Sequence, residues 1–127
     1  MVSVSISGKR IDDWNFGLEP DARVGAELIF NGQVRDSEKD EKIGALVYEQ
    51  YEGMAQKELE RIGSEAVERF GVIDLHCVHR IGTIPVGEAA IVVLIRSVHR
   101  HEAFDAMSWF MDELKKTVPI WKVGSMR

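Results

Sequence analysis

The stretch Ser97 to Lys122, SVHRHEAFDAMSWFMDELKKTVPIWK, limits what this chain can fold into more than any other. Its spacing predicts one long helix that opens at His99-Arg100-His101 and reaches Lys115-Lys116. Pro119-Ile120-Trp121-Lys122 then stops the helix and turns the chain. On a helical wheel Ala103, Phe104, Ala106, Met107, Phe110, Met111 and Leu114 fill one arc, so that face is expected to be buried. Lys115 projects at the edge of the arc beside Phe104, whereas Lys116 points to the polar side. Of the two, Lys115 is the one placed to line a half-buried pocket.

Before this helix, hydrophobic period separates strands from helix. Val2, Val4 and Ile6 alternate with serines and predict a first strand. Arg10 to Arg23, with Asp12-Asp13, Gly17 and Pro20-Asp21, reads as a loop holding at most one helical turn. In Gly25 to Arg35, Ala26, Leu28, Phe30, Gly32 and Val34 share one face of a second strand. Asp36 to Lys42 is wholly polar and reads as a solvated loop, and Gly44 to Tyr51 as a third strand. From about Glu52 to Phe70 the period changes: Ala55, Leu59, Ile62, Ala66 and Phe70 share a narrow arc, ended by Gly71. Val72 to Ile81 is a strand with Ile73, Leu75, Cys77, His79 and Ile81 on one face. Gly82 to Gly87 reads as a turn, and Glu88 to Val98 as the most apolar and therefore central strand. This order predicts an α+β fold, two main helices packed on one sheet, in a single domain spanning residues 1–127.

Composition narrows the class of function. With 127 residues, 45% hydrophobic and 29% charged, the chain has enough apolar material for a core and reads as soluble. Its longest apolar run, Ala89 to Ile95, is far too short to span a membrane, and the N-terminus lacks the pattern of a signal peptide. One cysteine, Cys77, cannot form an internal disulfide, and a cytoplasmic location is expected. A net charge of -5 argues against nucleic-acid binding. Yet Arg96, Arg100, Lys115, Lys116, Lys122 and Arg127 all follow Ile95, which points to a small anion rather than a polyanion.

The four histidines do not pair at ligand spacing. His76 and His79 face opposite sides of a strand, His99 and His101 opposite sides of a helix, and H-E-x-x-H is lacking. No metal site is expected. Cys77, between Leu75 and His79 on an apolar face, reads as a small core residue rather than a nucleophile. At the helix start, free N–H groups and the dipole favour an anion, and His99 and Arg100 add donors; Arg100 snorkelling over Phe104 is the plain alternative. At its end, Lys115 and Lys122 flank a hydrophobic turn, suited to proton transfer or nucleophilic work, although lysines there also simply complement the dipole. Arg35 enters the charged loop from a strand end, a usual place for a binding residue and equally for a solvated arginine.

Fifteen residues separate Arg100 from Lys115, roughly 22 Å at 1.5 Å per residue. One small ligand cannot touch both within one chain. If both helix ends serve one pocket, they come from two subunits of a two-fold dimer, with Trp109 on the polar side as a candidate contact.

The segments GAELIFNGQVRD, LVYEQYEGMA, HRIGTIPVGE and HRHEAFDAMSWFMDELKKTVPIWK, in that order, resemble the large, catalytic subunit of molybdopterin synthase from about Gly25 to Lys122. The resemblance implies an α/β hammerhead-type fold with a mostly antiparallel sheet. It implies a homodimer carrying a small ubiquitin-like sulfur-carrier subunit at each end, a heterotetramer. It also implies the reaction: sulfur passes from the carrier's C-terminal thiocarboxylate to cyclic pyranopterin monophosphate, forming the dithiolene of molybdopterin for molybdenum cofactor biosynthesis. No metal or cofactor is implied on this subunit. Position by position, the family's pocket arginine falls on Arg35, its HR pair on His99 and Arg100, and its two active-site lysines on Lys115 and Lys122. The pair His99 and Arg100 would reach the pocket from the neighbouring large subunit.

The expected roles follow from charge. Arg35, His99 and Arg100 bind the phosphate and pterin; Lys115 and Lys122 act at the carrier's terminal carbonyl, with Lys115 the better placed for direct chemistry. Two features depart from the family's pattern. Lys122 is followed by Val123-Gly124-Ser125-Met126-Arg127 in place of the usual WKKE continuation, and the loop after Arg35 is more charged and lacks its common glycine. Other readings are a non-catalytic paralogue that docks a ubiquitin-like carrier, and a small-anion binding module.

Overall fold

Ala89–Ser97 is buried along its whole length because both faces of its sheet are covered. A computed structural model describes residues 1–127. In chain order the elements are β1 (Val2–Ser7), β2 (Ala26–Gln33), β3 (Ser37–Glu38), β4 (Glu41–Lys42), β5 (Ala45–Gln50), α1 (Met54–Phe70), β6 (Asp74–Arg80), β7 (Gly82–Pro85), β8 (Ala89–Ser97), α2 (Arg100–Thr117) and β9 (Ile120–Met126). The main sheet runs β1-β6-β8-β2, with β1 parallel to β6 and the other pairs antiparallel. A second sheet runs β7-β5-β9, and β3 and β4 form a hairpin. This is the α+β arrangement that the alternation of periods predicts, with the most apolar strand in the interior.

One face of the main sheet carries both helices. Leu59 and Ile62 of α1 and Phe110 of α2 pack with Leu75, Val93 and Ile95, all fully buried. Each such side chain contributes about 1.5–3 kcal/mol by leaving water. Gly63 lets α1 close onto β1: a Cβ there would sit 2.8 Å from Val2 Cγ1. Gly71 ends α1 in the left-handed conformation, φ 67°, which costs a residue without Cβ little. Cys77 lies within this core, as its apolar neighbours suggest, and burial pushes its thiol well above the usual range.

The opposite face is covered by the irregular segment between β1 and β2. Ile11 is 1% exposed and packs with Val78 and Val92, while Phe16 lies against His76. The segment forms turns and no helix. Its grip is partly polar: the Asp12 carboxylate accepts from the Ala89 N–H, and Arg96 Nη1 donates to the Glu19 carbonyl at 2.8 Å.

Beneath that segment lies a buried ionic group. Arg96 donates to both oxygens of Asp74, at 2.6–3.1 Å; His76 Nε2 lies 3.2 Å from Asp74 Oδ1, and Ser3 Oγ 2.6 Å from His76 Nδ1. Burial by itself would raise the Asp74 carboxyl, but the Arg96 hydrogen bonds and the neighbouring positive charge outweigh it, and the net shift is downward. Burial lowers His76. Both groups bind protons less readily folded than unfolded, so the stability they contribute is complete above pH 6.5. It falls as His76 gains its proton below that point and again as Asp74 is protonated below 3.8. Thermal unfolding from pH 8 to pH 3 should show this two-stage loss. Asp74→Asn leaves Arg96 buried without its counter-charge and should cost about 3 kcal/mol at pH 7 while removing the acidic stage, both measurable by urea unfolding.

Several local expectations need correction. Asp36 to Lys42 is an ordered hairpin, turned through positive φ at Lys39 and Asp40, because its polar side chains face water while its backbone pairs with itself. Gly82–Pro85 is a strand beside β5, and Ile120–Met126 after the Pro119 turn is another. Phe104 is 57% exposed despite sharing the apolar arc. Trp109 is not on an open polar face: it packs on Phe70 of α1 at 5.9 Å, with the Arg69 guanidinium 5.4 Å from its ring.

Candidate active site

A cleft of about 410 Å³ opens between the two sheets, at the C-terminal end of α2 and beside the β3–β4 hairpin. Each of its cations is held by an ordinary structural device. Val34 is buried and its backbone is bonded on both sides, N–H to the Glu88 carbonyl and C=O to the Gly87 N–H, so Arg35 leaves the sheet at a defined point. Lys115 follows buried Leu114 in the last turn of α2, where the Val118 N–H caps the Leu114 carbonyl. Lys122 stands opposite Tyr48 in the β5–β9 ladder, just past a bulge; the Tyr51 N–H bonds the Pro119 carbonyl and fixes the turn before it.

Arg35, Lys115 and Lys122 thus line one cleft, from three separate parts of the chain. The only carboxylate among the lining residues is Glu38, and Lys122 Nζ donates to its Oε2 at 3.1 Å. Lys115, and not Lys116, lines the cleft, with its own side chain exposed at the rim. The cleft's floor is apolar, with Leu46, Ile91 and Met111. Burial pushes the Tyr48 phenol up, Lys122 opposing and Glu38 reinforcing, so the hydroxyl stays protonated at neutral pH. Burial pushes the His79 imidazole down, so the ring is neutral. A site with three cations over an apolar floor can hold an anion that carries a flat, poorly hydrated body.

His99 and Arg100 are not there. They sit exposed at the opposite end of α2, His99 as its N-cap residue without a side-chain cap. Arg127 lies beside Glu41 and Gly44, also away from the cleft. No three His, Cys, Asp or Glu side chains converge in the chain.

Comparison with known proteins matches the MoaE protein family to residues 7–117. The chain belongs to the MoaE family. It is 44% identical over 118 residues to the molybdopterin synthase catalytic subunit of Pyrococcus abyssi, covering 90% of this chain and 80% of that one. The crystal structure of molybdopterin synthase from Staphylococcus aureus superposes with a TM-score of 0.85 at 32% identity, over 95% of this chain and 93% of that one. A protein–protein complex of subunits 1 and 2 of molybdopterin-converting factor from Helicobacter pylori matches with a TM-score of 0.67 at 25% identity, over 82% and 71%.

Sequence reasoning about this MoaE chain misses three residues of the cleft: Glu38, Tyr48 and His79. Glu38 is hidden in a stretch that reads as solvated, and nothing local pairs it with Lys122, 84 positions away. His79 shares the apolar face of its strand with Leu75 and Cys77; only its place near the strand's end distinguishes it.

Proposed function

We propose that this chain, acting as one domain over residues 1–127, is the catalytic subunit of a molybdopterin synthase. It transfers sulfur from the C-terminal thiocarboxylate of a small ubiquitin-like carrier to cyclic pyranopterin monophosphate, giving the molybdopterin dithiolene. The observation that carries this reading is the convergence of Arg35, Lys115 and Lys122 on one cleft with an apolar floor. Both reactants are anions. At about 4 Å two unit charges repel by roughly 1 kcal/mol in water and about 4 kcal/mol at an effective dielectric of 20. A site that brings them together must supply positive charge. Arg35 offers a planar fork for the phosphate. Lys115 and Lys122 are assigned to the carrier's terminal carbonyl, to stabilise the charge that develops as sulfur leaves and to move a proton. The Helicobacter pylori complex supports a small-subunit partner. The cytoplasm, where the lone thiol Cys77 stays reduced, is the compartment that fits; no helix is long and apolar enough to cross a membrane.

The site is completed by a second copy. His99 and Arg100 lie too far from Lys115 along α2 to share its ligand, roughly 22 Å by helical rise. A partner surface is at hand on the helix-bearing side: β2 is an edge strand with Phe30 39% exposed on that face, and Val98 and Phe104 stand uncovered where α2 begins. A two-fold dimer that buries these side chains would also deliver His99 and Arg100 to the neighbour's cleft.

Reconstitution tests the reading directly. Thiocarboxylated carrier and cyclic pyranopterin monophosphate added to the purified chain should yield dithiolene product; a stable complex with no turnover would instead make it a docking scaffold. Glu38 gives a subtler check. Glu38→Gln frees Lys122 and removes the cleft's one negative charge, so KM for the pterin should fall, while stability changes by less than about 1 kcal/mol because the pair is solvent-accessible.

A further inference from the structure

We propose that His79 contacts the substrate in this cleft, its Nε2 accepting a hydrogen bond from an N–H of the bound heterocycle. The inference rests on the functional reading above and adds to it the group that recognises the flat body rather than the charge. His79 is 5% exposed at the end of β6 and lines the cleft. Its Nδ1 lies 2.8 Å from the Arg80 carbonyl. A carbonyl can only accept, so Nδ1 carries the hydrogen, and in a neutral ring Nε2 is left with its lone pair. The ring cannot turn to exchange the two nitrogens without losing that bond, and Tyr48 packs against it edge-on at 5.6 Å.

The neutral state is secured from several sides. Burial disfavours the imidazolium. The charged groups of the same cleft are Lys115 from α2, Lys122 from β9, Arg35 beyond β2 and Glu38 from β3, and Glu38 is paired with Lys122. Tyr48 from β5 is an uncharged phenol. The flanking strands present Ile6 from β1 and Ile91 from β8, which do not titrate.

Chemistry makes the assignment specific. Arginine and lysine only donate, so Arg35 at the phosphate and Lys115 and Lys122 at the carrier's carbonyl all leave the substrate's N–H edge unanswered. A carboxylate acceptor would oppose an anionic ligand; a neutral imidazole nitrogen does not. Stability alone would not choose histidine here, because a nearly buried ring nitrogen without a partner costs desolvation that leucine would avoid.

The test is calorimetric titration of the carrier-bound enzyme with cyclic pyranopterin monophosphate, using wild type, His79→Leu and His79→Gln. Glutamine places an amide oxygen near the position of Nε2. Leucine should weaken pterin binding about tenfold or more, as expected for an unanswered donor, with carrier affinity unchanged, and glutamine should restore most of the loss. Wild-type affinity should also fall in acid, below the usual histidine range because burial lowers His79, once Nε2 becomes a donor; His79→Gln should lack that fall. If His79→Leu does not fold, that comparison of pH slopes decides. Equal pterin affinity in wild type and His79→Leu, or equal slopes in wild type and His79→Gln, would overturn the inference and leave the functional reading intact, because that reading stands on wild-type turnover. Pterin binding that depends on His79 without any dithiolene product would sink the functional reading and uphold the contact.

Discussion

Lys115→Ala should lower the rate of dithiolene formation by at least about a hundredfold, as removal of a charge-stabilising donor does in other acyl-transfer sites. Lys115 is at the rim of the cleft, one residue beyond buried Leu114, so the truncation touches neither the α2 packing nor the sheet. Its thermal midpoint should therefore match that of wild type, and carrier binding measured by sedimentation should be nearly unchanged. Lys115→Arg separates charge from proton transfer: it keeps the cation, but in a guanidinium that does not give up its proton. A substantial rate for the arginine variant would assign Lys115 an electrostatic role. Turnover by Lys115→Ala equal to that of wild type would remove it from the chemistry altogether.

The second large effect concerns the two ends of α2. Arg100→Ala and Lys115→Ala subunits should each form inactive homodimers, since every site lacks one cation. Their heterodimer is different. One site then takes Lys115 from the first subunit and Arg100 from the second and is intact, while the other lacks both. Co-expressed with two affinity tags and isolated as the mixed dimer, the pair should recover about half the wild-type activity, one competent site in two. A mixed dimer as inactive as its parents would mean that both ends of the helix do not serve one pocket. The expectation rests on helix length: no rearrangement of side chains closes roughly 22 Å within one chain.

Most of the fold can be read before any coordinates. Both helices announce themselves by period, Ala55, Leu59, Ile62 and Ala66 in one and Ala103, Ala106, Phe110 and Leu114 in the other, and all eight are buried. Gly71 marks the end of the first helix because a left-handed residue there is cheapest without Cβ. Phe104 shows where periodicity overreaches: it lies at the edge of the apolar arc, on the flank it shares with exposed Lys115, while Ala103 beside it is fully buried. A pattern states which face is apolar, not what meets it. Trp109 errs in the other direction, since the helix that shelters it is 39 positions earlier in the chain, at Phe70.

The site divides along the same line. Residue type and local placement single out Arg35, Lys115, Lys122, His99 and Arg100, because cations beside a strand end, a helix end and a hydrophobic turn are visible one at a time. Their grouping is not local. That Arg35, Lys115 and Lys122 share a cleft while His99 and Arg100 stand apart depends on how β9 pairs with β5 and where α2 crosses the main sheet. The Glu38–Lys122 pair, the covering of the second sheet face by Ile11 and Phe16, and the lone pair of His79 directed by the Arg80 carbonyl arise from contacts that no nearest-neighbour pattern encodes. By itself the sequence determined the elements, the buried faces and the chemical types available. Only the tertiary structure decided which of those types meet, because hydrogen bonding and burial at the cleft are set by segments far apart in the chain.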